Sequence, residues 1–142
     1  MQVFTALLTI SSGECTELSD ITQLVREAIQ RCPLSVGIAL VNTLDTTCAL
    51  FVNEFQSALV DDLKRLLERL APERVGHPHD DPHIPEGDRG NAHAHLRASL
   101  LGRSVAVGIR QGELALGRFQ SIVFAELDGP RKREISVQVI GE

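Results

Sequence analysis

The chain has 142 residues, 43% of them hydrophobic and 23% charged, with a formal net charge of −5. That length and balance describe one soluble domain, residues 1–142, large enough to bury a core. The negative charge argues against non-specific binding to nucleic acid or to an acidic membrane.

Twelve of the basic residues are Arg and only Lys64 and Lys132 are Lys, a bias that suits planar recognition of phosphate or carboxylate where Arg residues converge. Cys15, Cys32 and Cys48 are odd in number, far apart and without a CxxC, so small reduced thiols are expected. The N-terminus runs from apolar to polar within about a dozen residues and has no basic flank. It has neither the length of a membrane span nor the layout of a signal peptide, and a cytoplasmic location is expected.

Residues 2–10 alternate as a strand, and Ser11-Ser12-Gly13 forms a turn. Ile21, Leu24, Val25, Ala28, Ile29 and Cys32 recur at helical spacing, with Ser19 as the expected N-cap and Pro33 at the exit. Ser35–Asn42 and Cys48–Val52 are short apolar runs rich in β-branched residues, expected as neighbouring strands joined through Thr43–Thr47. Ala58, Leu59, Leu63, Leu66, Leu67 and Leu70 form a second helical stripe closed by Pro72. Asp61–Arg65 and Lys64–Glu68 are expected i,i+4 pairs on its exposed side.

Residues 73–90 carry Gly76, Pro78, Pro82, Pro85, Gly87 and Gly90 and read as a long loop, of a length that is often functional. Asn91 then caps a helix containing Leu96, Leu100 and Leu101, stopped by Gly102. The last third is β: Ser104–Ile109, a turn at Gln111-Gly112, a return from Glu113 to Leu116, Phe119–Leu127, a turn at Asp128–Arg131, and Glu134–Ile140. The order predicts an α+β fold, an antiparallel, sandwich-like β-sheet system with helices packed on one side.

All five histidines, His77, His79, His83, His93 and His95, fall between Val75 and Leu101, interleaved with Asp80, Asp81, Glu86 and Asp88. Imidazole and carboxylate bind divalent metals and move protons near pH 7. Residues two apart on a helix point about 200° apart, so His93 and His95 do not share a site. His93 is expected near solvent at the first turn. The remaining geometry is a site of loop histidines plus His95, with a partner from elsewhere. A solvated loop whose histidines do nothing is the alternative.

Asp45 and Asn53-Glu54 close strands and suit either ligation or turns and caps. Glu126–Arg133, ELDGPRKR, reads as a charged hairpin turn or as an anion site in which Arg131 or Arg133 forks a phosphate. No HExxH, Walker A loop, GxGxxG or GxSxG occurs.

Gly90–Gly102, GNAHAHLRASLLG, then Gly112–Gln120, GELALGRFQ, then ELDGPRKR, in this order and spacing, resemble the YjbQ-like family of thiamine-phosphate synthase-like proteins. The likeness runs over nearly the whole chain. It implies an α+β fold rich in β-structure and a homotrimer with sites near subunit boundaries. It also implies a reaction that joins a pyrimidine diphosphate to a thiazole phosphate and releases pyrophosphate. The family's loop histidine before an acid matches His79-Asp80, its helix histidine His95, and its Asn-Glu pair Asn53-Glu54. Its last two motifs match Gly112 to Gln120 and Gly129 to Arg133.

Asp45 stands where the family has His, Phe119 where it has Trp, and Phe55-Gln56 where Asp-Pro follows Asn-Glu. Carboxylate also binds zinc, so Asp45 can replace that His.

The resulting assignment gives His79, His95 and Glu54 catalytic roles. Asn53, Asn91, Gln120, Arg131 and Arg133 bind a small phosphorylated molecule. His79, His95 and Asp45 hold a divalent metal: zinc suits the histidines, magnesium the phosphate. The alternative is a non-catalytic trimeric metal- or small-ligand-binding protein with a degenerate site.

Overall fold

The computed structural model describes residues 1–83 and 90–142. Glu86 and Asp88, counted above among the loop carboxylates, and Pro85 and Gly87 lie outside the described residues. The strands are β1 (Gln2–Ser11), β2 (Glu17–Asp20), β3 (Val36–Thr43), β4 (Cys48–Asn53), β5 (Ser104–Arg110), β6 (Glu113–Leu114), β7 (Ser121–Glu126) and β8 (Lys132–Gly141). The helices are α1 (Thr22–Gln30), α2 (Ser57–Leu70) and α3 (Ala92–Leu101), with a single 3₁₀ turn at Pro78–Asp80.

All strand pairs are antiparallel. A five-stranded sheet runs β1-β8-β3-β5-β6 and a three-stranded sheet runs β2-β7-β4. Alternation decides which side chains enter the core. Leu8 and Ile10 of β1, Ile135, Val137 and Val139 of β8 and Ala39 and Val41 of β3 point inward. They meet Cys48, Leu50, Ile122 and Phe124 from the inner face of the smaller sheet, with Ile21, Val25, Ala28 and Ile29 of the α1 region closing one side. The outer face of the smaller sheet, Ala49, Val123 and Ala125, packs under Leu67 of α2 and Ala94 of α3. The molecule is therefore the expected α+β sandwich, with α2 and α3 covering one side. The run Ile122–Glu126 is buried on both faces because it is the middle strand between these two cores.

Several local expectations are corrected. Ser19 is not a helix cap: it lies in β2, paired to β7. Asp20 instead accepts from the Thr22 amide (3.0 Å) and hydroxyl (2.6 Å) at the α1 start. β3 and β4 are not hydrogen-bonded neighbours; residues 44–47 carry the chain from one sheet to the other. Gln56 caps α2, its Oε1 accepting from the Leu59 amide at 3.0 Å. Lys64 and Glu68 pair away from their own helix, with Glu14 (3.7 Å) and Arg97 (2.6 Å). The Gln111-Gly112 turn is as expected, both residues having positive φ as a two-residue hairpin requires. No helix among the described residues is long and apolar enough to cross a membrane.

Candidate functional site

The centre of the site is the junction of the 3₁₀ turn with α3. Asp80 Oδ1 accepts the Ala92 amide at 3.0 Å, capping the helix that Asn91 was expected to cap. This fastens the loop to the helix and sets the His79 ring against the His95 ring. Their centroids lie 4.9 Å apart with planes 86° to each other. Asn91 has a different task. Its Oδ1 is 3.1 Å from His79 Nε2, and its Nδ2 donates to Asp128 Oδ2 at 3.0 Å. Arg131 in turn donates to Asp128, from Nε to the backbone oxygen and from Nη2 to Oδ2, both at 2.8 Å. His77 is tethered at the cleft wall, its Nε2 3.1 Å from the Pro72 carbonyl oxygen. His83 makes a local turn, its amide donating to Asp81 Oδ1 at 2.9 Å.

His93 and His95 diverge, as the helical angle requires. The expectation that His93 lies near solvent is overturned: it is 2% exposed. The face of α3 that carries it turns into the protein rather than out.

His95 borders two clefts. One, about 350 Å³, is walled by His77, Pro78, His79, Ala92 and Leu96. The other, about 460 Å³, is walled by Asp45, Thr46, Cys48, Ser99 and Arg103. Asp45, the outside partner that the sequence pointed to, thus shares a cleft with His95. Its carboxylate is also 3.5 Å from Arg133 Nη1, which draws on the charge a cation would need. Burial pushes the Cys48 thiol above its usual range, against a lowering contact from Thr43, so this cleft residue is no ready thiolate nucleophile.

Arg133 is corrected from anion ligand to interior residue. Its Nη2 meets Glu126 Oε2 at 2.6 Å and Thr47 Oγ1 at 2.9 Å, and its Nε meets Glu126 Oε1 at 3.0 Å. The Arg133 side chain is 4% exposed and the Glu126 side chain 0%. Burial pushes Glu126 up, but hydrogen bonds from Arg133, Ser12 and the Asp128 amide outweigh it and hold the carboxyl below its ordinary range.

The comparisons with known proteins agree with this architecture. The family model described as UPF0047 protein YjbQ-like matches residues 6–142. The chain belongs to the YjbQ-like family. A UPF0047 protein of Archaeoglobus fulgidus is 40% identical over 134 residues, 94% of this chain and 98% of that one. One from Methanothermobacter thermautotrophicus is 39% identical over 142 residues, 100% of this chain and 95% of that one. A YbjQ-like protein of unknown function from Sulfolobus solfataricus has a crystal structure that superposes with a TM-score of 0.92. It is 31% identical, with 99% of each chain covered.

Three residues of the YjbQ-like assignment lie apart from the histidines. Along β4, Cys48 faces Glu126 and Asn53 faces Ser121. Asp45 and His95 gather at the Cys48 end, whereas Asn53 and Glu54 leave from the other, about 17 Å away for five strand residues. Asn53 Oδ1 accepts the Glu54 amide at 2.8 Å. Gln120 belongs to that distant end as well, with its Oε1 accepting the Gly117 amide at 2.8 Å. No group of three or more His, Cys, Asp or Glu side chains among the described residues is placed to hold a metal. Zinc takes at least three protein ligands, so one YjbQ-like chain does not complete the expected set from these residues. Sequence reasoning missed Asp128, whose only signal was its place in a turn motif, and Arg103, a cation at the cleft wall just beyond the α3 stop.

Proposed function

We propose that the His79–His95 junction is a general acid–base site beside a phosphate-orienting cleft, serving a thiamine-phosphate synthase-type transfer. The observation that carries this reading is the pair of edge-to-face histidines bordering a cleft, one of them wired through Asn91 to Asp128. In that transfer the thiazole nitrogen supplies the electron pair of the new C–N bond. The pyrimidinylmethyl C–O bond breaks, and its pair leaves with pyrophosphate. No net proton transfer is needed, so the protein's work is to hold the two partners in line and to stabilise charge on the leaving oxygen. His95, as imidazolium, donates to that oxygen. Arg103 at the cleft wall can meet phosphate, whereas Arg131 is paired with Asp128 and Arg133 with Glu126.

No step here runs through a metal. If zinc or magnesium binds His79 and His95, its further ligand has to come from beyond the described residues of one chain. A homotrimer fits this need. The outer face of the five-stranded sheet exposes Val3, Leu7, Val36, Ile38, Leu40 and Ile140, an apolar face of the kind oligomers cover. Three free cysteines suit a reducing cytoplasm.

Purified protein supplied with pyrimidinylmethyl diphosphate and thiazole phosphate is expected to release pyrophosphate. His95→Ala is expected to lose at least about a hundredfold in rate. No turnover, or turnover indifferent to His95→Ala, sinks the reading. The second reading, a non-catalytic small-ligand-binding trimer, is favoured by the separation of Glu54 from the histidines; saturable binding of either precursor without turnover is its signature.

A further inference from the structure

We infer that Asp128, acting through Asn91, fixes His79 as its Nε2–H tautomer and leaves Nδ1 as the nitrogen that serves the cleft. The argument is a chain of donors and acceptors. A carboxylate only accepts, and Asp128 Oδ2 already accepts from Arg131 Nη2 at 2.8 Å. The group that Asn91 turns toward Asp128 must therefore be its NH₂, at 3.0 Å. A flipped amide would set two acceptor oxygens against each other. With the NH₂ so committed, Asn91 presents its carbonyl oxygen to His79 Nε2 at 3.1 Å. A neutral imidazole carries one N–H and one lone pair. Only the N–H makes a bond with that oxygen, so the proton is on Nε2 and the lone pair on Nδ1.

The consequence is a rule for the ligand. Whatever the cleft presents to His79 must donate: an exocyclic ring amine, a hydroxyl or a cation suits Nδ1, and a bare phosphate oxygen does not. Asn91 is in this sense a positioning residue, and Asp128 orients it from one bond further away. Carboxyl- or carbonyl-backed histidines are a general device for fixing which nitrogen acts; here an amide stands between the carboxylate and the ring. The functional consequence rests on the acid–base reading of the cleft, but the tautomer itself does not.

The test is nitrogen and carbon NMR of histidine-labelled protein, recorded at a pH of about 8.5, above the ordinary imidazole range. His79 is assigned by its loss in His79→Gln. Wild type is expected to show His79 in a single Nε2–H form. In Asp128→Asn both neighbours become amides, Asn91 is free to turn over, and Nδ1–H is expected to appear beside Nε2–H. Asn91→Leu removes the acceptor and gives a mixed ring by a second route, should Asp128→Asn disturb its turn. Wild-type His79 found as Nδ1–H, or already mixed, overturns the inference. So does a ring that stays purely Nε2–H in both variants. The readout is taken on resting protein without substrate, so failure of the synthase assay and failure of this inference are separate results.

Discussion

Glu126 and Arg133 show how a single pairing reassigns a residue. On composition, Arg133 was one of several arginines suited to phosphate. In the structure its fork closes on a carboxylate that no water reaches. Two buried charges together roughly offset the cost of taking them from water, but either alone is an unpaired charge in the interior. Glu126→Gln is therefore expected to cost about 3–5 kcal/mol, read as a lower urea midpoint with unchanged slope. The pH dependence has a definite sign. The Glu126 carboxyl is held below its ordinary range, so the unfolded chain takes up its proton first. The stabilisation is full above the ordinary carboxylate range and is lost as pH falls through the lowered value. Glu126→Gln should lack that part of the acid limb. A variant as stable as wild type, with the same acid limb, would falsify the assignment.

Among elements, the antiparallel pairing of β3 with β8 has a point, the crossing from one glycine to another, with no room for a side chain. Gly37 and Gly141 face each other across it. A Cβ on Gly37 would run into the Ile140 carbonyl and the Gly141 Cα, both backbone atoms that cannot step aside. Gly37→Ala is expected to destabilise by about 1–3 kcal/mol, as overpacking does. Gly108→Ala on the adjacent strand is the control, because its added Cβ meets only Ala115 Cβ at an ordinary 3.7 Å. Equal melting temperatures for the two variants would show that the crossing tolerates a side chain.

The same scale explains what could be read from sequence. α1 and α2 carry apolar stripes, and β1, β3 and β8 alternate, so each announces itself locally; α3 does not, since it buries Ala92, His93, Ala94 and Arg97 and leaves Leu96 and Leu100 exposed. β2 has four residues, too few to establish a period, and was absorbed into a helix start. Pairing partners were not legible, because β1 finds β8 more than a hundred residues away and residues 44–47 cross between sheets without any local mark. The divergence of His93 and His95 was legible from one angle on a helix, but which ring turns inward was not: His93, expected near solvent, is 2% exposed. The burial of Arg133 was legible too, had the phase been followed: it shares the inward phase of Ile135, Val137 and Val139 on β8. Asp128 was not, since a turn acid is common and only its distant contact with Asn91 gives it a role.

For the whole molecule, the open matter is the separation of His95 from Asn53, Glu54 and Gln120 along β4. If the molecule is a ring of three, a head-to-tail contact can set the Asn53 end of one copy beside the histidines of the next. Co-expression of His95→Ala with Asn53→Ala chains discriminates, with binding of the pyrimidine diphosphate as readout. Each variant alone should fail to bind. In randomly mixed trimers, a site made from His95 of one copy and Asn53 of the next is whole in about a quarter of cases. Binding should therefore return to about that fraction of wild type. A site contained in one chain cannot be restored this way, because every chain in the mixture carries one lesion. Recovery no greater than that of separately purified variants, combined after assembly, overturns the shared site, and full binding by Asn53→Ala alone would leave Asn53 outside the site altogether.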